Sequence, residues 1–589
     1  MNTKCKIITF ILANQYFVVT SWQRIGFFSF MGKIIIYQAL VRHFSLKKGV
    51  DKPYGTIEEN GCGGFRSFSN KALKEIKKLG CTHIWFTGVI EHASQTAYPD
   101  IGIFGDSPDI VKGIAGSPYA VRDYYNVSPD LAIDPKLRMK EFEDMVYRNH
   151  QQNLHVVIDF VPNHVARCYK SISKPSGESD FGETDNKNSS FSNQNNFYYF
   201  PNEKFNPQFP LITYEEYPAK ATGNDCFTPS PSKNDWYETA KLNYGIDYLN
   251  NGNRHFDPLP DTWIKMRNIL IFWASKGIDG FRCDMAEMVP VEFWHWAIGE
   301  VKRQYPHLIF IAEIYNPTQY RPYIDYGGFD YLYDKVGLYD TLRDVVQNGK
   351  PAKYISNCWH SVGDIQGKML NFLENHDEQR IASDFFASDP QRAIPALIVS
   401  TMMNTNPFLL YAGQELGEKG MDNSGFSGID GRSSIFDYYQ PDTIRRWVDG
   451  GNYSLRQLSE DEKKLRIKYK KILTICHTQR AISEGLFYDL TYANIENPDF
   501  NSERCFAFLR KYQEELLLIV ANFAEAPQNL KIVIPHHAFD FWGITPSLGS
   551  KVKAKELLTE KELEISFAPY IPTELTVEAN TGMVLRIIF

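Results

Sequence analysis

Four short stretches of this 589-residue chain concentrate side chains that can move protons or attack carbon. They are Asp159-Phe-Val-Pro-Asn-His164, Gly280-Phe-Arg-Cys-Asp284, Phe310-Ile-Ala-Glu313 and Glu374-Asn-His-Asp377. Each follows an apolar run that reads as a buried strand. A single acid at a strand end is ordinary, because such residues form turns and cap helices. Asp284, Glu313 and Asp377 end three strands, however, with Arg282, His164 and His376 beside them. An Asp held as carboxylate next to an Arg is a competent nucleophile. A Glu in a less polar setting keeps its proton longer and can act as a general acid. That division of labour is what glycoside hydrolysis needs. A metal-assisted hydrolase could also use His and carboxylates, but no HExxH helix is present.

Convergence of these residues requires a scaffold that gathers strand ends. Residues 34–39, 82–90, 155–161, 278–283, 308–314, 329–333, 369–373 and 408–412 read as strands. They alternate with stretches of helical period, including one that Asn70 would cap and others over 136–151, 263–273 and 293–304. This alternation predicts an α/β fold with a parallel sheet, and eight units predict a closed (β/α)8 TIM barrel. An open doubly wound sheet is the alternative. In a barrel, catalytic groups sit at the C-terminal ends of the strands, where the four stretches end. The polar, then aromatic, segment between the third strand and the next helix is too long for a plain connection and reads as an inserted subdomain. Beyond residue 480 the helical period gives way to short strands at 505–510, 516–523, 530–534, 563–567 and 583–589, an all-β sandwich. Lys551–Glu562 reads as a solvated charge run. The expected organisation is an N-terminal extension over 1–30, the barrel over 31–164 and 259–480, the insertion over 165–258 and the β domain over 481–589.

Composition narrows the function classes. Sixty-three basic against 70 acidic residues leave a net charge of −7, with no basic footprint for nucleic acid. Nine scattered cysteines show no zinc spacing and favour a reducing compartment. No apolar run reaches the ~18 residues of a membrane span. Lys4 and Lys6 precede a short apolar run, Ile7–Ala13, that faintly resembles a secretion signal and is interrupted by Asn14 and Gln15. A cytoplasmic location is expected, with secretion or a periplasmic location the alternative if residues 1–30 act as a signal.

Together, the four motifs in order on strands three, four, five and seven resemble those of the α-amylase family of glycoside hydrolases. The long insertion after strand three and the β-rich tail correspond to that family's subdomain B and C-terminal domain, so the resemblance covers residues 33–589. It implies Asp284 as the nucleophile of a covalent glycosyl intermediate, Glu313 as general acid then base, and Asp377 as the stabiliser of the transition state. It further implies that Arg282 orients Asp284, that His164 and His376 hydrogen-bond the same sugar, and that Tyr119 stacks on its ring. Glu287 and Met288 stand where animal and fungal α-amylases carry Lys-His, which places Glu287 at the acceptor side of the substrate. Asn163 matches a calcium-liganding Asn of the family, so a structural calcium is an open expectation, with no cofactor required for the chemistry. Pro118-Tyr119-Ala120 lacks the Asp that exo-acting oligo-1,6-glucosidases use at the chain end. The implied function is retaining hydrolysis of α-glucosidic, chiefly α-1,4, bonds in glucans or malto-oligosaccharides. The alternatives are a glucan or maltosyl transferase using the same intermediate, and an inactive binding or assembly protein. The partner implied is a carbohydrate substrate; oligomeric state leaves no trace in the sequence.

Overall fold

A computed structural model describes residues 32–544 and 551–588. The expected N-terminal extension, residues 1–30, lies outside them. Eight strands close into one barrel: β1 (Ile35–Leu40), β2 (His83–Thr87), β3 (His155–Phe160), β4 (Gly280–Cys283), β5 (Ile309–Ala312), β6 (Tyr331–Tyr333), β7 (Met369–Phe372) and β8 (Phe408–Tyr411). Every neighbour pair is parallel and follows chain order, and β8 closes on β1 through Ile35↔Phe408 to Gln38↔Tyr411. This is the expected barrel, and the open sheet is excluded.

The strands form because β-branched and aromatic residues suit a pleated surface covered on both faces. The helices form on amphipathic stretches that cover the outside. Asp261–Ser275 buries Trp263, Met266, Ile269, Leu270 and Trp273, and Gly277 at φ 83° then turns the chain toward β4. Asn70 is the first helical residue rather than the cap. Ser69 caps instead, its hydroxyl accepting from the Ala72 N–H at 3.4 Å. The alternation also lapses once. Between β5 and β6 there is no α-helix, only a 3-10 turn and a π-helical turn, Pro322–Tyr326.

Two excursions rise above the C-terminal rim. After β2 a hairpin pairs Ile90–His92 with Val121–Val127. The insertion after β3 is built from short ladders, one pairing His164–Ala166 with Thr239–Lys241. The tail forms a six-stranded sheet and a two-stranded sheet. The expected charge run is corrected here: Lys551–Glu556 is a strand between Glu562–Ser566 and Thr581–Ile588. Its lysines alternate with Val552, Ala554 and Glu556, and Ala554 and Glu556 point inward. Period two places the three lysines on one face. Among the described residues no helix is long and apolar enough to cross a membrane.

Candidate active site

The inner face of the barrel becomes polar toward the C-terminal ends of its strands. Gln38 on β1, Trp85 on β2, Asp159 on β3, Arg282 on β4 and Tyr333 on β6 all point inward and are buried. Register brings Arg282 directly opposite Asp159 across β3 and β4. Along β4 the inward set is Gly280, Arg282 and Asp284, and Cys283 packs on the other side.

Arg282 is the centre of the cluster. It is fully buried, and its guanidinium reaches Asp284 at 2.7 Å, Glu313 at 2.8 Å and Asp159 at 3.4 Å, and donates to Tyr333 at 3.2 Å. Trp85, Tyr119 and Tyr333 surround it with ring faces. Asp159, an acid of the first motif, is held by the Trp85 indole N–H at 3.0 Å and the Tyr119 hydroxyl at 3.3 Å.

Glu313 is held at both oxygens. The Tyr315 hydroxyl donates to Oε1 at 2.6 Å and the Met285 N–H to Oε2 at 2.8 Å. Met285 follows Asp284 in the left-handed region, at φ 41°. For a residue with a side chain this costs roughly 1–2 kcal/mol. The strained turn is what aims its N–H at Glu313.

Three carboxyls, Asp159, Asp284 and Glu313, therefore crowd one permanent cation. Burial and the nearby Glu313 charge oppose ionisation of Asp284 and Asp159. Burial raises Asp284 well above the ordinary carboxylate value, with Arg282 opposing and the Glu313 charge adding. Burial likewise lifts Asp159 to about 6, with Arg282 opposing. Asp377 stands at the pocket mouth with its side chain 43% exposed. Withdrawal from water first, then the Glu313 charge, push it up to about 7.

His376 packs flat on Tyr119, with ring centroids 5.1 Å apart. The Gln38 side-chain N–H donates to its Nδ1 at 2.8 Å, so the ring proton sits on Nε2. Burial and Arg282 hold its pKa well below the ordinary value, so the ring is neutral. Nε2 lies 3.1 Å from Asp377 yet makes no aligned hydrogen bond, which leaves a buried donor facing the pocket. His164 is also neutral, lowered to about 3 by burial and then by Lys241.

The pocket holds about 360 Å³, and Asp284, Glu313, Asp377, His376, His164 and Tyr119 line it. Trp236 and Glu238 from the insertion, with Lys112 and Phe436 from other loops, are also part of the wall. A larger groove of about 460 Å³ lies between the helix Glu460–Thr478 and the tail. Its lining brings no buried pair of acids onto a cation, so the chemistry belongs to the barrel mouth.

Two expected residues lie elsewhere. Glu287 does not line the pocket: its carboxylate accepts the N–H groups of Tyr315 at 3.2 Å and Asn316 at 3.1 Å. Asn163 is buried, and its amide oxygen accepts from the Lys241 ammonium. Among the described residues no group of three or more His, Cys, Asp or Glu is placed to hold a metal ion. Gln38, Trp85, Tyr315 and Tyr333 were not anticipated. The signal for Gln38 was a lone amide inside the apolar strand Ile35–Leu40, and for Tyr315 its spacing of two from Glu313.

The family model for the α-amylase catalytic domain matches residues 56–472. The chain belongs to the α-amylase family. Alpha-amylase 3 of Dictyoglomus thermophilum is 22% identical to it over 506 residues, covering 83% of this chain and 84% of that protein. An α-1,4-glucan:maltose-1-phosphate maltosyltransferase of Cereibacter sphaeroides is 36% identical over 96 residues, 16% of each chain. The solved α-amylase of H. orenii superposes with a TM-score of 0.61 at 19% identity, covering 95% of this chain and all of that one, a likeness of fold. The α-amylase barrel here thus carries its acids, its arginine and both histidines around one pocket.

Proposed function

We propose that this α-amylase-family enzyme is a retaining hydrolase of α-1,4-glucosidic bonds in glucans or malto-oligosaccharides. The observation that carries the reading is Arg282, buried and held between the pocket-lining acids Asp284 at 2.7 Å and Glu313 at 2.8 Å. In the first step an Asp284 oxygen bonds to the anomeric carbon as its bond to the leaving oxygen breaks. Glu313 gives its proton to that oxygen. In the second step water attacks the same carbon, Glu313 takes its proton, and Asp284 leaves as carboxylate. Two inversions retain the configuration.

Arg282 stabilises Asp284 when it leaves, and Tyr315 positions Glu313. Asp377 and the free N–H of His376 accept and donate to hydroxyls of the same sugar, with His164 on the opposite wall. Tyr119 supplies the ring on which that sugar stacks. The chemistry uses side chains and water alone. In this reading 31–164 and 259–480 form the catalytic barrel, 165–258 the insertion that walls the pocket, and 481–589 the β domain. The eight described cysteines are free thiols, which supports a reducing compartment.

A second reading keeps the intermediate and replaces water with a sugar or phosphate acceptor. The local 36% identity to maltosyltransferases favours it. Proton NMR of the purified protein with maltoheptaose separates the two, with Asp284→Asn as control. Shorter chains released first as α-anomers establish the hydrolase. Longer chains, or turnover only with added acceptor, establish the transferase. A wild-type rate in Asp284→Asn would remove the nucleophile from the scheme.

A further inference from the structure

Beside His164, three oxygens from three segments converge on one point. They are Asn163 Oδ1 after β3, Asp225 Oδ1 in the insertion and the Met288 carbonyl after β4. A calcium ion seated there would require six to eight oxygens around an open centre. The centre is instead the Lys241 ammonium. It donates to Asn163 Oδ1 and, at 3.3 Å, to the Met288 carbonyl, and it pairs with Asp225 at 2.7 Å. Its side chain is 2% exposed. An ammonium has three N–H donors, and three oxygens stand within reach to meet them.

The surroundings fix this arrangement. The Asn163 amide N–H donates to the Gly223 carbonyl at 2.7 Å, which turns Oδ1 toward Lys241. Gly223 must be glycine, because a Cβ there would lie 2.4 Å from the Thr239 hydroxyl and 2.9 Å from the His164 Cβ. Lys241 is itself the ladder partner of His164. The residues therefore do not fit a divalent cation, which would have to enter against a buried positive charge already holding its oxygens.

We propose that Lys241 is a built-in cation that takes the place of a divalent metal at the junction of barrel and insertion, so that the fold is independent of calcium. The proposal is separate from the catalytic reading, and its test reads stability. The full-length protein is melted after dialysis against EDTA and again in excess calcium chloride. The two melting temperatures are expected to coincide. Lys241→Met, which keeps the stem and removes the charge, is expected to melt at least about 4 °C lower in both. A wild-type melting temperature that falls in EDTA and recovers with calcium would overturn the proposal. So would a Lys241→Met protein that melts with wild type. If that variant does not fold, the wild-type comparison decides by itself.

Discussion

Glu313 meets the leaving oxygen only by giving up one of its two donors, the Tyr315 hydroxyl or the Met285 N–H. Its replacement should therefore be felt where a proton is most needed. Glu313→Gln is expected to lose about 10²–10⁴-fold in rate on maltoheptaose and far less on an activated aryl glycoside. Equal losses on both would argue against an acid role. Asp377 predicts a pH effect on stability. Its pKa is raised from 3.8 to about 7, so the native state binds the proton more tightly than the unfolded chain does. Stability attached to that proton is present below pH 4 and declines as pH rises to about 7. Asp377→Asn removes the penalty. It should melt with wild type at pH 4 and about 1–2 °C above it at pH 8, a small gain because the side chain is partly open. A variant that melts below wild type at pH 8 would contradict this. The three acids and His376 were legible because each follows an apolar strand, and Arg282 because it stands two residues before Asp284. Their partners were not, because Gln38 and Trp85 lie inside apolar strands and Tyr333 ends one, where period alone cannot show which way a barrel turns. Glu287 was placed by correspondence with relatives, but the backbone N–H groups beside it take both its oxygens.

Elements were legible where one period dominates. The eight barrel strands and their main helices stand out because β-branched runs alternate with 3.6-residue spacing. Lys551–Glu556 was obscured by lysine, although its period of two was present. The contacts that dock the tail left no local trace, and Arg510 shows why. It lies on the strand Cys505–Tyr512, fully buried, and among the described residues it pairs with no carboxylate. It donates to the carbonyls of Met403 at 2.7 Å, Ala481 at 3.0 Å, Ile482 at 2.9 Å and Gly485 at 2.8 Å. Met403 caps the helix Ile394–Met402, and Ala481 and Ile482 belong to the short helix Arg480–Ser483. These are the carbonyls that a helix end leaves without partners. Arg510→Met leaves four of them dry and should cost about 3–5 kcal/mol in denaturant unfolding. A loss below about 1 kcal/mol would show that water replaces the guanidinium.

The barrel and one face of the tail sheet share a core. Phe506, Phe508, Leu517, Ile519 and Ala521 of the tail sheet join the cluster that fills the barrel and its helices. Their strand neighbours Ala507, Leu509, Leu516, Leu518 and Val520 face the other way into a second cluster. The sequence announced a β domain but not this docking, since both faces of these strands are apolar and neither is marked as the outer one. A chain ending before residue 481 should expose the barrel's share of that surface and aggregate, and calorimetry of the whole chain should give one transition. Two well-separated transitions would show that the tail folds on its own.

The seam of the ring joins Ile35–Gln38 to Phe408–Tyr411, segments that leave the ribosome at opposite ends of barrel synthesis. Every acid of the pocket is therefore made before the stave that closes the cask. Until β8 arrives, Gln38 has no closed wall to press it against His376, and the growing polypeptide carries its chemistry in separate pieces. A chain that stops before β8 lacks the seam that closes the ring and is expected to turn over no sugar.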